Sequence, residues 1–119
     1  MEESIVWETK FPSGTLAHCG TSYNAEPQGY LRVLAERGSF ALDPAFLYDG
    51  IRGATGDGKP IEGKDVDQFA AEMDDFAGCI LEGRTTKVPG EEGLRDVSIL
   101  MSIYEAARSG RAVEPGARG

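Results

Sequence analysis

An α+β domain is the fold class these residues predict: an open antiparallel sheet of four or more strands with two C-terminal helices packed on one face. Three observations carry that expectation. The first half alternates with a period of two between turn-forming clusters. The second half repeats its apolar residues at helical spacing, and the strands all precede the helices.

The first strand is predicted over 4–11, "SIVWETKF", with Ile5, Trp7, Thr9 and Phe11 on one face and Val6, Glu8 and Lys10 on the other. Pro12, Ser13 and Gly14 supply a compact turn, so the segment 15–23 is expected to return antiparallel. After the loop "NAEPQG", residues 30–36 and 39–43 flank Arg37-Gly38, a tight connection in which the glycine supplies a positive φ. Two hairpins in succession predict one antiparallel sheet.

The helices follow a Gly-rich stretch. Val66, Phe69, Ala70, Met73, Phe76, Ala77 and Ile80 fall on one stripe of the first, with Asp65 and Gln68 at the offset of a capping box and Gly83 at the C-terminal stop. The second opens after Pro89-Gly90, where Glu91 and Glu92 favour the positive end of the helix dipole. It carries Leu94, Val97, Leu100, Met101, Ile103, Tyr104 and Ala107 and ends near Gly110. Ile99 and Ile103 widen its apolar surface, which predicts that this helix is the more buried. "RAVEP", 111–115, is expected to add a short terminal strand. The domain is expected to span 1–115, with 116–119 a loose tail.

The return strand, "TLAHCGTSY", carries no fixed charge on either face. A half-exposed antiparallel strand normally alternates apolar with polar or charged side chains. Helices covering one face and a second copy of the chain covering the other is the economical account, since most soluble oligomers are symmetric homo-oligomers. A Thr- and Ser-rich face wetted by solvent is the alternative. The first account predicts a dimer or tetramer with Thr15, Ala17, His18, Cys19, Thr21 and Tyr23 at the interface.

A chain of 119 residues and net charge −8 is one domain, and its acidity argues against nucleic acid or an anionic membrane as partner. No apolar run reaches the length of a membrane span, and the N-terminus lacks a signal-peptide pattern. Two distant cysteines and a single histidine make a metal site improbable and predict free thiols in a reducing, cytoplasmic compartment.

"GATGDGKP", 53–60, has the G-x-x-x-x-G-K spacing of a phosphate-binding loop. The hydroxyl that would hold Mg²⁺ is replaced by Pro60, which also steers Lys59 away from helical angles. A flexible, Gly-rich surface loop is the expectation, without a nucleotide. His18 and Cys19 project to opposite faces of a strand and cannot pair as base and nucleophile. Glu72 and Asp75 share a helix side but lack a histidine, which fits a solvated face. Nothing assembles nucleophile, base and oxyanion site, so no catalytic residue is expected.

In the order "FPSG…SY", "ERGSFALDPAFLYDG", "DQFAAEMDDFAGCILEGR" and "PGEEGLRDVSILMSIYEAARSGRAVEP", the chain resembles the C-terminal region of the Gfo/Idh/MocA family of NAD(P)-dependent oxidoreductases, in its glucose–fructose oxidoreductase-like branch. The resemblance implies an α/β domain on an open antiparallel sheet that mediates dimers or tetramers and shapes a sugar-type substrate site beside a Rossmann domain. The loop 48–59 would then approach the substrate cleft, with Tyr48, Asp49 and Arg52 as hydrogen-bonding candidates. NAD or NADP is implied for the complete enzyme and no cofactor for this chain, because the G-x-G-x-x-G fingerprint and the family's E-K-P lysine are absent. A standalone self-associating module without enzymatic activity is the other reading.

Overall fold

A computed structural model describes residues 2–26, 29–48, 50–64 and 66–116. Antiparallel sheets of two and four strands come first and two helices follow, giving the α+β class expected. The residues form two compact units, 1–25 with 84–119 and 26–83.

The first unit contains strands β1 (Ser4–Lys10) and β2 (Leu16–Ser22). They pair over their whole length, with Trp7 opposite Cys19 and Glu8 opposite His18. Alternation sorts the side chains as the sequence predicts: Ile5, Trp7, Thr9, Ala17 and Cys19 are half-buried, while Val6, Glu8, Lys10, Leu16 and His18 are exposed. On the exposed face, His18 Nδ1 lies 3.2 Å from Glu8 Oε2, and Ser4 Oγ donates to Ser22 Oγ at 2.7 Å. The hairpin and the strands of the second unit form separate sheets among the described residues, so the single sheet expected from two successive hairpins is not found.

The second unit is a meander. Strands β3 (Leu31–Ala35), β4 (Gly38–Leu42), β5 (Arg52–Thr55) and β6 (Pro60–Glu62) are joined in sequence order, each antiparallel to the next. Ala35 pairs with Gly38, so the tight connection is Glu36-Arg37 and the glycine opens the next strand. The flexible loop expected over 53–60 is instead the β5–β6 hairpin. Its glycine is needed by a strand: a Cβ on Gly53 would stand 2.0 Å from the Ala41 carbonyl oxygen. Pro60 is tolerated because β6 lies at the sheet edge. No strand forms over 111–115, where only Val113 is half-buried.

Helix α1 (Gln68–Glu82) belongs to the second unit and α2 (Gly90–Ser109) to the first. The cap of α1 is Asp67, whose Oδ1 accepts from the Phe69 and Ala70 amides, both at 3.0 Å. Asp65, one half of the expected capping box, lies outside the described residues. Gly83 and Gly110 close the helices in the left-handed conformation at φ 64° and 66°. In the first unit, Tyr104 Oη donates to Glu2 Oε1 at 2.5 Å. That bond holds the Glu2 carboxyl below its ordinary pKa and the Tyr104 phenol above its own.

Both helices turn an unexpected face outward. In α1 the residues removed from solvent are Asp75, Gly78 and Cys79, whereas Phe69, Met73, Phe76 and Ile80 are exposed. In α2 the half-buried face is Ser98, Ile99, Ser102, Ile103 and Ala106, while Leu94, Val97, Leu100, Met101 and Tyr104 are open. More of α2 is half-buried than of α1, but it contains no fully buried residue. Among the described residues only Ala45 and Cys79 are buried. The chain exposes 10529 Å². Two separate compact units of half its mass would together expose about 7,500 Å². Packing within each unit therefore leaves much of the apolar surface in water.

Replacing Asp67 by Ala removes both side-chain hydrogen bonds at the start of α1, at a cost of about 1 kcal/mol. The expected outcome in a urea titration followed by circular dichroism is a lower midpoint with helical signal lost first. An unchanged midpoint would show that the cap contributes nothing.

Candidate functional site

The loop between β4 and β5 is built on a small buried residue. The Ala45 amide donates to the Gly29 carbonyl at 2.5 Å, and Ala45 is one of the two buried side chains. The loop is closed at its base by Asp43 N–H to the Arg52 carbonyl at 2.7 Å and Arg52 N–H to the Pro44 carbonyl at 3.2 Å. The Asp43–Pro44 peptide is cis. A third bond, Gly63 N–H to the Ile51 carbonyl at 2.8 Å, continues the pairing toward β6.

This base presents Phe46, Tyr48 and Arg52 to solvent. Tyr48 leans on Phe69 of α1, with ring centroids 5.3 Å apart and planes inclined by 37°, a tilted aromatic pair. Phe69 thus fixes the ring that bears the phenol, while backbone pairing fixes the residue that bears the guanidinium. Tyr48 offers a phenol that donates or accepts, and Arg52 a planar cation that only donates. Asp49, the third candidate from the sequence, lies outside the described residues. Sequence reasoning missed Phe69, which it assigned to a buried stripe. Tyr48 is remote from it in sequence, so no spacing could have paired them.

The interface candidates separate by strand alternation. Ala17 and Cys19 lie on the half-buried face and Thr21 shares their parity, whereas His18 stands on the exposed face beside Glu8. Thr15 and Tyr23 flank β2, and both are exposed. Both cysteines are free thiols. Asp75 departs from the solvated face expected for the α1 carboxylates: it is half-buried, and the Cys79 thiol lies 3.9 Å from its Oδ2.

The phosphate-loop spacing has a structural cause. Thr55 N–H donates to the Lys59 carbonyl at 2.9 Å, and the Lys59 amide donates back to Thr55 Oγ1 at 3.0 Å. Gly58, at φ 84°, turns the chain between them. Lys59 Nζ is 2.8 Å from Asp57 Oδ2, and Thr55 Oγ1 donates to the other carboxylate oxygen at 2.5 Å. The carboxylate occupies the lysine that a phosphate would need, and a strand follows where the mechanism requires a helix N-terminus. Among the described residues, no three His, Cys, Asp or Glu side chains gather to hold a metal ion. No helix there is long and apolar enough to cross a membrane.

Over about nine-tenths of its length the chain is homologous to part of sugar oxidoreductases of the Gfo/Idh/MocA type. It is 30% identical over 112 residues to D-xylose 1-dehydrogenase (NADP(+)) of Haloarcula marismortui, matching 91% of this chain and 31% of that protein. It is 31% identical over 111 residues to D-xylose 1-dehydrogenase (NADP(+)) 2 of Haloferax volcanii, matching 88% of this chain and 34% of that protein. The crystal structure of aldose-aldose oxidoreductase from Caulobacter crescentus, complexed with glycerol, superposes with a TM-score of 0.80 at 35% identity over 94% of this chain and 35% of that one. The chain spans about a third of the length of these relatives. No family model matches it.

The Lys59 ammonium, and after it the Thr55 hydroxyl, hold the Asp57 carboxyl below its ordinary pKa. A depressed carboxyl stabilises the hairpin above its unfolded-state pKa and stops doing so as pH falls through the lowered folded value. Lys59→Met is expected to move the Asp57 titration, followed by carboxyl NMR shifts, back up toward the ordinary value. An unmoved titration would show that the ammonium has no influence on the turn.

Proposed function

We propose that this chain is the C-terminal oligomerisation and substrate-shaping part of an NAD(P)-dependent sugar or polyol oxidoreductase, not catalytically competent by itself. The observation that carries the reading is a homology covering nine-tenths of this chain but a third of enzymes described as NADP(+)-dependent D-xylose dehydrogenases. In the complete enzyme a hydride passes between the nicotinamide and a sugar carbon; the cofactor supplies the redox chemistry and the protein orients the reacting atoms. Tyr48 and Arg52 hydrogen-bond the sugar hydroxyls, with the Phe69 ring keeping Tyr48 in place.

The β1–β2 hairpin supports the oligomeric half of the reading. Its exposed face carries Val6, 84% exposed, with His18 and then Leu16 further along the same face. An uncovered two-stranded sheet is marginal in water, and a symmetry-related hairpin would cover this one. The partners are then a second copy of the chain and the dinucleotide-binding portion of the enzyme.

Titration of the isolated chain with NADP or NAD is expected to give no calorimetric signal in the micromolar range. Sequencing the DNA before the Met1 codon is expected to reveal an in-frame βαβ unit with a G-x-G-x-x-G turn. Micromolar binding by the chain alone would overturn the first expectation, and an in-frame stop codon just upstream would favour a standalone module. Light scattering is expected to report a dimer or tetramer that Val6→Glu weakens at least tenfold. A strict monomer at high concentration would remove the oligomeric role.

A further inference from the structure

The β5–β6 turn contains an aspartyl–glycyl peptide, Asp57-Gly58, a kind of bond that rearranges readily in water. The glycine nitrogen, unshielded by a side chain, attacks the aspartyl carboxyl carbon. The carboxyl hydroxyl leaves as water, and a succinimide ring closes. Water then reopens the ring, mainly to the isoaspartyl peptide, with no oxidant, reductant or cofactor consumed. Two conditions govern the first step. The carboxyl must be protonated so that its hydroxyl can leave, and the glycine nitrogen must be free to reach the carboxyl carbon.

The turn opposes both conditions. Lys59 Nζ stands 2.8 Å from Asp57 Oδ2, and Thr55 Oγ1 donates to Oδ1 at 2.5 Å. The ammonium, and after it the hydroxyl, hold the carboxyl below its ordinary pKa and so deplete the protonated acid. Partners on both oxygens also fix the orientation of the carboxylate. The Gly58 N–H is engaged as well, donating to the Thr55 carbonyl at 2.9 Å. Burial contributes nothing to this protection, since the Asp57 side chain is 59% exposed and that of Lys59 79%.

We infer that Thr55 and Lys59 guard the Asp57–Gly58 peptide against isomerisation, which gives the lysine of the G-D-G-K run a role without any phosphate. The fold has a stake in this protection. An isoaspartyl residue carries the main chain through Cβ and adds one backbone atom to the turn. The turn is closed by Thr55 N–H to the Lys59 carbonyl at 2.9 Å and by the Lys59 amide to Thr55 Oγ1 at 3.0 Å. A longer backbone cannot keep both bonds, and β6, an edge strand of three residues, depends on that connection for its register.

The test incubates the full chain in warm, mildly acidic buffer and follows isoaspartate at position 57. Electron-transfer fragmentation of the digested chain separates isoaspartyl from aspartyl peptides of equal mass. Isomerisation is expected to be at least tenfold slower in the folded chain than in the same chain unfolded by guanidinium chloride. Lys59→Met and Thr55→Val are each expected to accelerate it at least threefold, with circular dichroism unchanged. Lys59→Arg keeps the cation and is expected to stay near the unaltered rate. The excess in Lys59→Met should shrink as pH falls below the lowered Asp57 pKa, because the carboxyl is then protonated in both chains. A loss of turn shape alone would not produce that convergence. Equal rates in the folded and unfolded chain overturn the inference, as does a rate unmoved by both Lys59→Met and Thr55→Val. Lys59→Arg isomerising as fast as Lys59→Met overturns the role of the charge.

Discussion

A helix with one apolar stripe gains most of its stability from whatever covers that stripe, because isolated helices of this length are marginal in water. Here both helices hold their more polar faces inward and leave Phe69, Met73, Phe76 and Ile80, or Leu94, Val97, Leu100 and Met101, in solvent. Every other feature of the molecule has to be understood with that unmet burial. It accords with a buried core of two among the described residues, beside strands with complete ladders. Backbone pairing is satisfied locally, strand by strand.

The candidate site shows the same division at smaller scale. Its loop is positioned by short-range backbone bonds at Ala45 and Arg52, so it holds its shape without a large core. Tyr48 and Arg52 are exposed, and among the described residues Tyr48 rests on Phe69 at the start of α1.

Much of the fold was legible in the residues. The period-two alternation of Ile5, Trp7 and Thr9 gave the faces of β1, and the glycines at 83 and 110 marked both helix ends, because a left-handed C-terminal cap is a local requirement. The site was legible only in part. Tyr48 and Arg52 were reached through family resemblance, and nothing local distinguishes them from other surface residues. The β5–β6 hairpin was missed because a motif defined by glycine spacing competed with a weak strand signal of Gly, Ala and Thr. Its glycine at 53 answers to the Ala41 backbone on a neighbouring strand, a contact that no window of sequence contains.

By itself, then, the sequence determined that strands precede helices, where both helices stop, and which faces of β1 alternate, all of which depend on residues within a turn or two of each other. Tertiary structure alone decided that the strands divide into two sheets, that Asp57 holds Lys59 inside a turn, that Tyr48 rests on Phe69, and that the helical stripes face outward. The physical reason is that periodicity says which residues share a face but not what that face meets. Amphipathicity is a property of one segment; burial is a property of two surfaces.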